Sequence, residues 1–189
     1  MENQLDLFSP TEIRSTPANR TPVLLMDEKT LTKWKNKITI HQQQVRTDES
    51  TQQISLFNLP KSHVEPDIVD PFNLQLSALS FYRLPINSPG QACLYFVIDV
   101  ANDLLLYIGE TCKSNERWKG VHDCKRYIEN YLDLHYRYGL KTAVNIGFWW
   151  DAPLPRRPRQ RLELALIKKW KSPFNKESWK YWGQPFGKN

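Results

Sequence analysis

Ala92-Cys93-Leu94-Tyr95-Phe96-Val97-Ile98 is followed, across Asp99-Val100-Ala101-Asn102-Asp103, by Leu104-Leu105-Leu106-Tyr107-Ile108. Two short runs of aromatic and aliphatic residues around an Ala-Asn-Asp turn predict a β-hairpin. Tyr95 and Tyr107 then lie on neighbouring strands and can present their phenols side by side on one face. Strand tyrosines are common, so on these two residues alone ordinary packing is the stronger reading.

Beyond the hairpin, Asn115 to Gly120 reads as a short helix and Asp123 to Tyr138 as a longer one, with Gly139 as its left-handed C-cap. Lys141 to Trp150 supplies a third strand. Arg156 to Trp170 is helical, with Pro158 tolerated in the first turn, Pro173 closing it, and Leu162, Leu166 and Trp170 on one face. The order ββααβα predicts an α+β domain over residues 91–189, a three-stranded antiparallel sheet flanked by helices.

Upstream the chain changes character. Residues 1–90 carry 9 Lys/Arg against 10 Asp/Glu, whereas residues 91–189 carry 17 against 10, so the basic charge belongs to the predicted domain. Six of seven Trp, six of seven Gly and all three Cys also fall at or beyond position 91, which places most packing and tight turns there. A mean hydropathy of −0.59 and 13 prolines suit a chain part of which packs poorly. Residues 1–65 are expected to be mostly disordered, apart from a short helix between Asp27 and Gln44 with Asp27 as N-cap and Leu31, Trp34 and Ile38 at helical spacing. Residues 66–90 read as an extended lead-in lying on the domain. The N-terminus has no basic and apolar signal, and no run is long enough to span a bilayer, which predicts a soluble, cytoplasmic, nucleoid-associated protein. Three cysteines without framework spacing predict reduced thiols.

Basic charge favours a polyanion, although a solvated basic surface explains charge alone equally well. Motif order is more specific. Cys93-Leu94-Tyr95, Leu106-Tyr107-Ile108-Gly109, Asn115-Glu116-Arg117, Glu163-Leu164-Ala165-Leu166-Ile167 and Pro173-Phe174-Asn175 together resemble the ordered motifs of the GIY-YIG nuclease family. The resemblance covers about the last hundred residues and departs from the family pattern at Cys93, where glycine is usual. It departs again at His122, which lies five residues after Arg117 rather than four.

The resemblance implies a metal-dependent endonuclease acting on DNA. Tyr95 would take the proton of an attacking water with Tyr107 beside it. A phenol of ordinary pKa is a poor base unless a cation, Lys113 or the metal, lowers that value. Arg117 would grip the scissile phosphate through its planar fork, and its alternative is a surface arginine. Glu163, a carboxylate on a mostly apolar helix face, would bind one Mg²⁺ or Mn²⁺ with water and substrate oxygens; otherwise it pairs with Arg159 one turn earlier. Asn175 would support the site by side-chain hydrogen bonds or merely end the helix. His122 is a catalytic group or a surface histidine. Cys112, His122 and Cys124 match no closed zinc pattern, and zinc is not expected. Arg117, Lys119, Lys176, Trp179 and Lys180 are the candidate nucleic-acid contacts, with buried packing the alternative for Trp179.

Two pentapeptides remain. Gln4-Leu5-Asp6-Leu7-Phe8 and Gln53-Ile54-Ser55-Leu56-Phe57 share Gln, an aliphatic residue, a small polar or acidic residue, Leu and Phe. Both resemble the peptide by which bacterial repair proteins attach to the sliding clamp, with Gln4, Leu5, Leu7 and Phe8, and Gln53, Ile54, Leu56 and Phe57, as anchors. The resemblance implies delivery to DNA by the clamp, with avidity if both peptides dock. The rival expectations are a catalytically inert DNA-binding clamp adaptor and a restriction or mobile-element nuclease.

Overall fold

The computed structural model describes residues 26–51, 65–79, 92–112 and 123–186. Both clamp-like peptides, together with Lys113, Arg117, Lys119 and His122, lie outside the described residues. Within them the chain forms helix α1 (Glu28–Thr51), strand β1 (Leu76–Ala78), strands β2 (Cys93–Asp99) and β3 (Leu104–Thr111), helix α2 (Asp123–Arg137), strand β4 (Val144–Trp149), helix α3 (Arg156–Trp170) and the single-turn helix α4 (Trp179–Trp182). The fold is α+β, but the antiparallel sheet has four strands in the order β1-β4-β2-β3, not three. The extra strand comes from the lead-in, where Leu76 pairs with Gly147 and Ala78 with Asn145. Three residues are too few for a period-2 pattern to register. Gly147 makes the approach feasible, because a Cβ there would sit 3.0 Å from Leu76 Cδ2 and 3.1 Å from Leu74 Cβ.

The hairpin is where the residues place it, and its register explains an irregular pattern. Val97 opposes Tyr107 but Ile98 opposes Leu105, so Leu106 is the extra residue of a β-bulge. Leu104, Leu106 and Tyr107 therefore share the face of Tyr95 and Val97, while Leu105 and Ile108 join Leu94, Phe96 and Ile98 on the other. Both faces are covered, which is why β2 is buried along its whole length and reads as an unbroken apolar run. Helix α2 lays Cys124, Tyr127, Ile128, Tyr131 and Leu134 on the tyrosine face. Helix α3 lays Leu162, Leu166, Ile167 and Trp170 on the opposite one. Gly139 takes φ +62° just past α2, as its position predicts.

Helix α1 corrects the expectation of a short helix in a loose region. It runs to Thr51, and Leu31, Trp34 and Ile38 are buried in the core of the tyrosine face. Asp27 caps it, its carboxylate accepting the Thr30 N–H at 2.6 Å. The stripe continues through polar residues that a hydrophobic pattern misses. Gln42 is buried, accepts the Leu105 N–H at 2.9 Å and donates to the Leu105 and Trp170 carbonyls at 3.0 and 3.2 Å. Its amide completes the hydrogen bonding of a bulged strand that has no further strand on that side among the described residues.

Lys35, also buried, donates to His135 Nε2 at 2.7 Å. His135 Nδ1 lies 2.7 Å from the Tyr131 carbonyl oxygen and so carries the proton, leaving Nε2 as the acceptor for Lys35. Burial first, and the Lys35 ammonium next to it, hold His135 below its ordinary pKa, which keeps the imidazole neutral. Beside them Asp99 accepts five hydrogen bonds, from Ala101 N, Asn102 Nδ2, Tyr131 Oη, Thr142 Oγ1 and Ala143 N. No helix among the described residues is long and apolar enough to cross a membrane.

Candidate active site

Among the described residues strand β3 is an outer strand of the sheet, and the candidate site is assembled along its outer edge. An outer strand alternates backbone groups toward the sheet and away from it, and the outward ones need partners. At Leu106 the carbonyl accepts the Phe174 N–H at 3.0 Å. At Ile108 the Asn175 side chain acts as a strand partner: its Oδ1 accepts the Ile108 N–H at 3.0 Å and its Nδ2 donates to the Ile108 carbonyl at 2.8 Å. At Glu110 the N–H donates to Glu163 Oε1 at 3.1 Å. The Pro-Phe-Asn segment and α3 thus bind the edge in a ladder, and Glu163 and Asn175 are placed by the backbone of the Tyr107-bearing strand itself.

Asn175 is buried, and Ser172 Oγ donates to its Oδ1 at 2.7 Å. Its side chain is thus wholly engaged with Ile108 and Ser172. Arg159 does not pair with Glu163. It is only 1% exposed and is taken up by Glu110 Oε2 at 2.7 Å and by the Pro153 and Leu154 carbonyls at 2.9 and 2.7 Å. This buried ion pair, which no motif signals, locks α3 against β3 and pins the loop after β4.

The two tyrosines meet, with ring centroids 5.9 Å apart and an interplanar angle of 33°. They are diagonal neighbours, since Tyr95 opposes Gly109 and Tyr107 opposes Val97. The Tyr95 ring lies across Gly109, where a Cβ would overlap Cζ and Oη and stand 2.7 Å from Cε1. The glycine of Leu106-Tyr107-Ile108-Gly109 is thus required by the tyrosine of the facing strand. Gly109→Ala is expected to destabilise the fold by about 1–3 kcal/mol through overpacking and to displace Tyr95 from Tyr107. Thermal unfolding would register this as a Tm drop of several degrees, and an unchanged Tm would contradict the contact.

Tyr95 is fully buried, and it is Tyr107 that lines a cleft of 630 Å³ with Cys124, Glu163, Asn175, Lys176 and Glu177. Burial, then the neighbouring Tyr95 phenol, push the Tyr107 pKa well above the ordinary phenol range. Tyr107 is therefore a neutral hydrogen-bonding phenol unless a cation approaches it. Cys93 is buried at the glycine position of the first motif, and burial pushes its thiol up to about 12, an inert small packing residue.

The donors suit a hard divalent cation of a particular kind. Among the described residues no three His, Cys, Asp or Glu side chains cluster as a ligand set, so an all-protein cage is not built there. Glu163 is oriented by the Glu110 N–H, and Glu177 lines the same cleft. One or two carboxylates, with water and phosphate oxygens completing the shell, is the coordination Mg²⁺ and Mn²⁺ accept.

Of the candidate nucleic-acid contacts, Lys176 and Lys180 are exposed, and Lys176 lines the cleft. Trp179 is not a free stacking surface. It packs edge-on against Tyr127 at 6.2 Å, and the exposed ring of that stretch is Tyr181, flanked by Lys171 and Lys180. Comparison with known proteins finds no matching family model, no matching curated protein and no matching solved structure.

Proposed function

We propose that this chain is a metal-dependent DNA endonuclease of the GIY-YIG type, acting at a structure or lesion in DNA and delivered there by a bacterial sliding clamp. The observation that carries the reading is the convergence of Tyr107, Glu163 and Asn175 on one cleft, with Tyr95 packed behind Tyr107. The basic balance of residues 91–189 and the exposed Lys176 at the cleft supply attraction for the phosphate backbone. Delivery rests on the two pentapeptides alone, and the phosphate grip on the Arg117 motif.

Each group has a task. Glu163 binds Mg²⁺ or Mn²⁺, which when bound supplies Lewis-acid stabilisation of phosphate charge and a field that lowers neighbouring pKa values. Tyr107 faces the cleft and orients the attacking water by its hydroxyl. Tyr95 packs against that phenol from behind. Asn175 keeps β3 in register with α3. Arg117 neutralises the scissile phosphate, and Lys176 holds the flanking backbone.

The test is cleavage of labelled linear, flapped, mismatched and four-way DNA by the full chain with Mg²⁺ or Mn²⁺ and with chelator, each with and without clamp. Expected is metal-dependent cutting of one structure, accelerated by clamp. Clamp binding with no cutting of any substrate would overturn it in favour of the inert adaptor.

A further inference from the structure

The tyrosine face of the sheet does not end at Tyr95. On the neighbouring strand β4, Phe148 opposes Tyr95, and Gly109 opposes Tyr95 from the other side, so Gly109, Tyr95 and Phe148 form one row across three strands. Strand spacing puts Phe148 roughly 10 Å from β3, on the face that carries Tyr107. Trp150 follows just beyond the end of β4, two residues after Phe148. Its ring stacks on Phe148 with centroids 5.3 Å apart and planes only 18° from parallel. Trp150 is 38% exposed. The aromatic row thus runs from Tyr95, which packs against the cleft-lining Tyr107, to the partly exposed Trp150 and ends in a nearly parallel pair.

The segment displaying Trp150 is fixed. Ala152 is buried, Pro153, Pro155 and Pro158 restrict the backbone, and Arg159 ties down the Pro153 and Leu154 carbonyls. A partly exposed indole stacked on a second ring and held on a fixed segment offers one flat face to a planar partner.

The charge that follows it in the chain, where α3 begins, names the partner. Arg156, Arg157 and Arg161 are exposed on the first turns of α3, and Asp151 is the only acidic residue between Trp150 and Leu162. The first turn of α3 has no acidic residue, although the helix dipole favours acids and disfavours cations there. Arginines at that end are better explained by an anion they bind than by the helix they begin. Gln160, Glu163 and Leu164, which line the cleft, continue the same side of α3 one turn on, so this basic edge leads into the cleft.

Resting on the nuclease reading, we propose that Trp150, backed by Phe148, is a stacking ledge for an unpaired nucleobase, with Arg156, Arg157 and Arg161 holding the adjoining phosphates. A base within a duplex is already stacked on both sides and cannot occupy the outer face of Trp150. An extruded, mismatched or single-stranded base can, and stacking on an aromatic ring tolerates any base identity. The ledge therefore selects DNA with an unpaired base.

The test is binding, without metal and without cleavage. Full-length chain carrying Glu163→Gln is titrated into a fluorescent fully paired duplex and into the same duplex with one unpaired 2-aminopurine. Expected is a preference for the unpaired probe on the order of ten-fold, with quenching of 2-aminopurine. Trp150→Ala and Trp150→Leu should bring the preference close to unity and remove the quenching while paired-duplex affinity holds within about twofold, and Trp150→Phe should retain most of both. Arg156→Ala with Arg157→Ala should weaken both probes alike and reduce the salt dependence. An unchanged preference in Trp150→Ala overturns the ledge. Metal-dependent cleavage by the wild-type chain combined with no preference overturns the ledge while leaving the nuclease reading intact. A preference lost with Trp150 in a chain that never cuts upholds the ledge and removes the nuclease.

Discussion

Glu163→Gln is expected to lower metal-dependent cleavage by about a thousand-fold or more while leaving the fold in place. The substitution is chosen for what it preserves. Glutamine keeps an oxygen that can accept the Glu110 N–H, the 3.1 Å bond that fixes Glu163 to the strand edge. It removes the negative charge, and a hard divalent cation is held by charged oxygens far better than by an amide. The loss should therefore fall on metal binding and rate, with stability changing by less than about 1 kcal/mol. Two readouts separate these effects. Cleavage rate against metal concentration should show loss at all concentrations, and thermal unfolding should show that Mn²⁺ raises the Tm of the wild-type chain but not of the variant, because a ligand stabilises only the state that binds it. A variant that cuts within about tenfold of wild type would remove Glu163 from the chemistry.

What the residues disclose in advance follows the physics of each element. The hairpin, α2 and α3 are legible because each has a run of apolar residues at its own period and a clear stop, Gly139 at φ +62° and Pro173 after Lys171. The full length of α1 is not, because two of its core-facing positions are Lys35 and Gln42, whose burial depends on partners distant in sequence. Strand β1 is too short to announce itself, and the bulge at Leu106 is invisible in a run of three leucines.

The site shows the same division. Tyr95, Tyr107, Glu163 and Asn175 can be chosen from motif order, and the chain brings them together. Their geometry is another matter. That Asn175 imitates a strand, that Gly109 accommodates the Tyr95 ring, and that Arg159 serves Glu110 are long-range relations that no local pattern encodes. Trp150 carries no signal in the sequence, because an aromatic at a strand end is common and its stacking and exposure depend on the fold.

Asp99 carries the largest expected effect on stability. Asp99→Ala should destabilise the chain by about 3–5 kcal/mol, since removing this buried acceptor strands the buried Tyr131 hydroxyl and forfeits four further, part-buried hydrogen bonds. Its five donors belong to the β2–β3 turn, to α2 and to the loop before β4, so one carboxylate ties three parts of the domain at the end of the sheet. Burial alone would raise the Asp99 pKa, but the Ala143 N–H and the Tyr131, Asn102 and Thr142 side chains outweigh it and hold the carboxyl below its ordinary 3.8. The sign of the pH dependence follows. A group whose folded pKa is depressed binds its proton more readily when unfolded, so its stabilisation is complete above the unfolded value and is lost as pH falls below 3.8 toward the folded value. Urea unfolding at neutral pH and along an acid series should show wild type losing stability steeply below that point. Asp99→Ala, already destabilised at neutral pH, should show a shallower acid slope because the titrating group is gone. Parallel acid slopes for the two chains would mean that Asp99 is not the carboxylate through which acid opens this end of the fold.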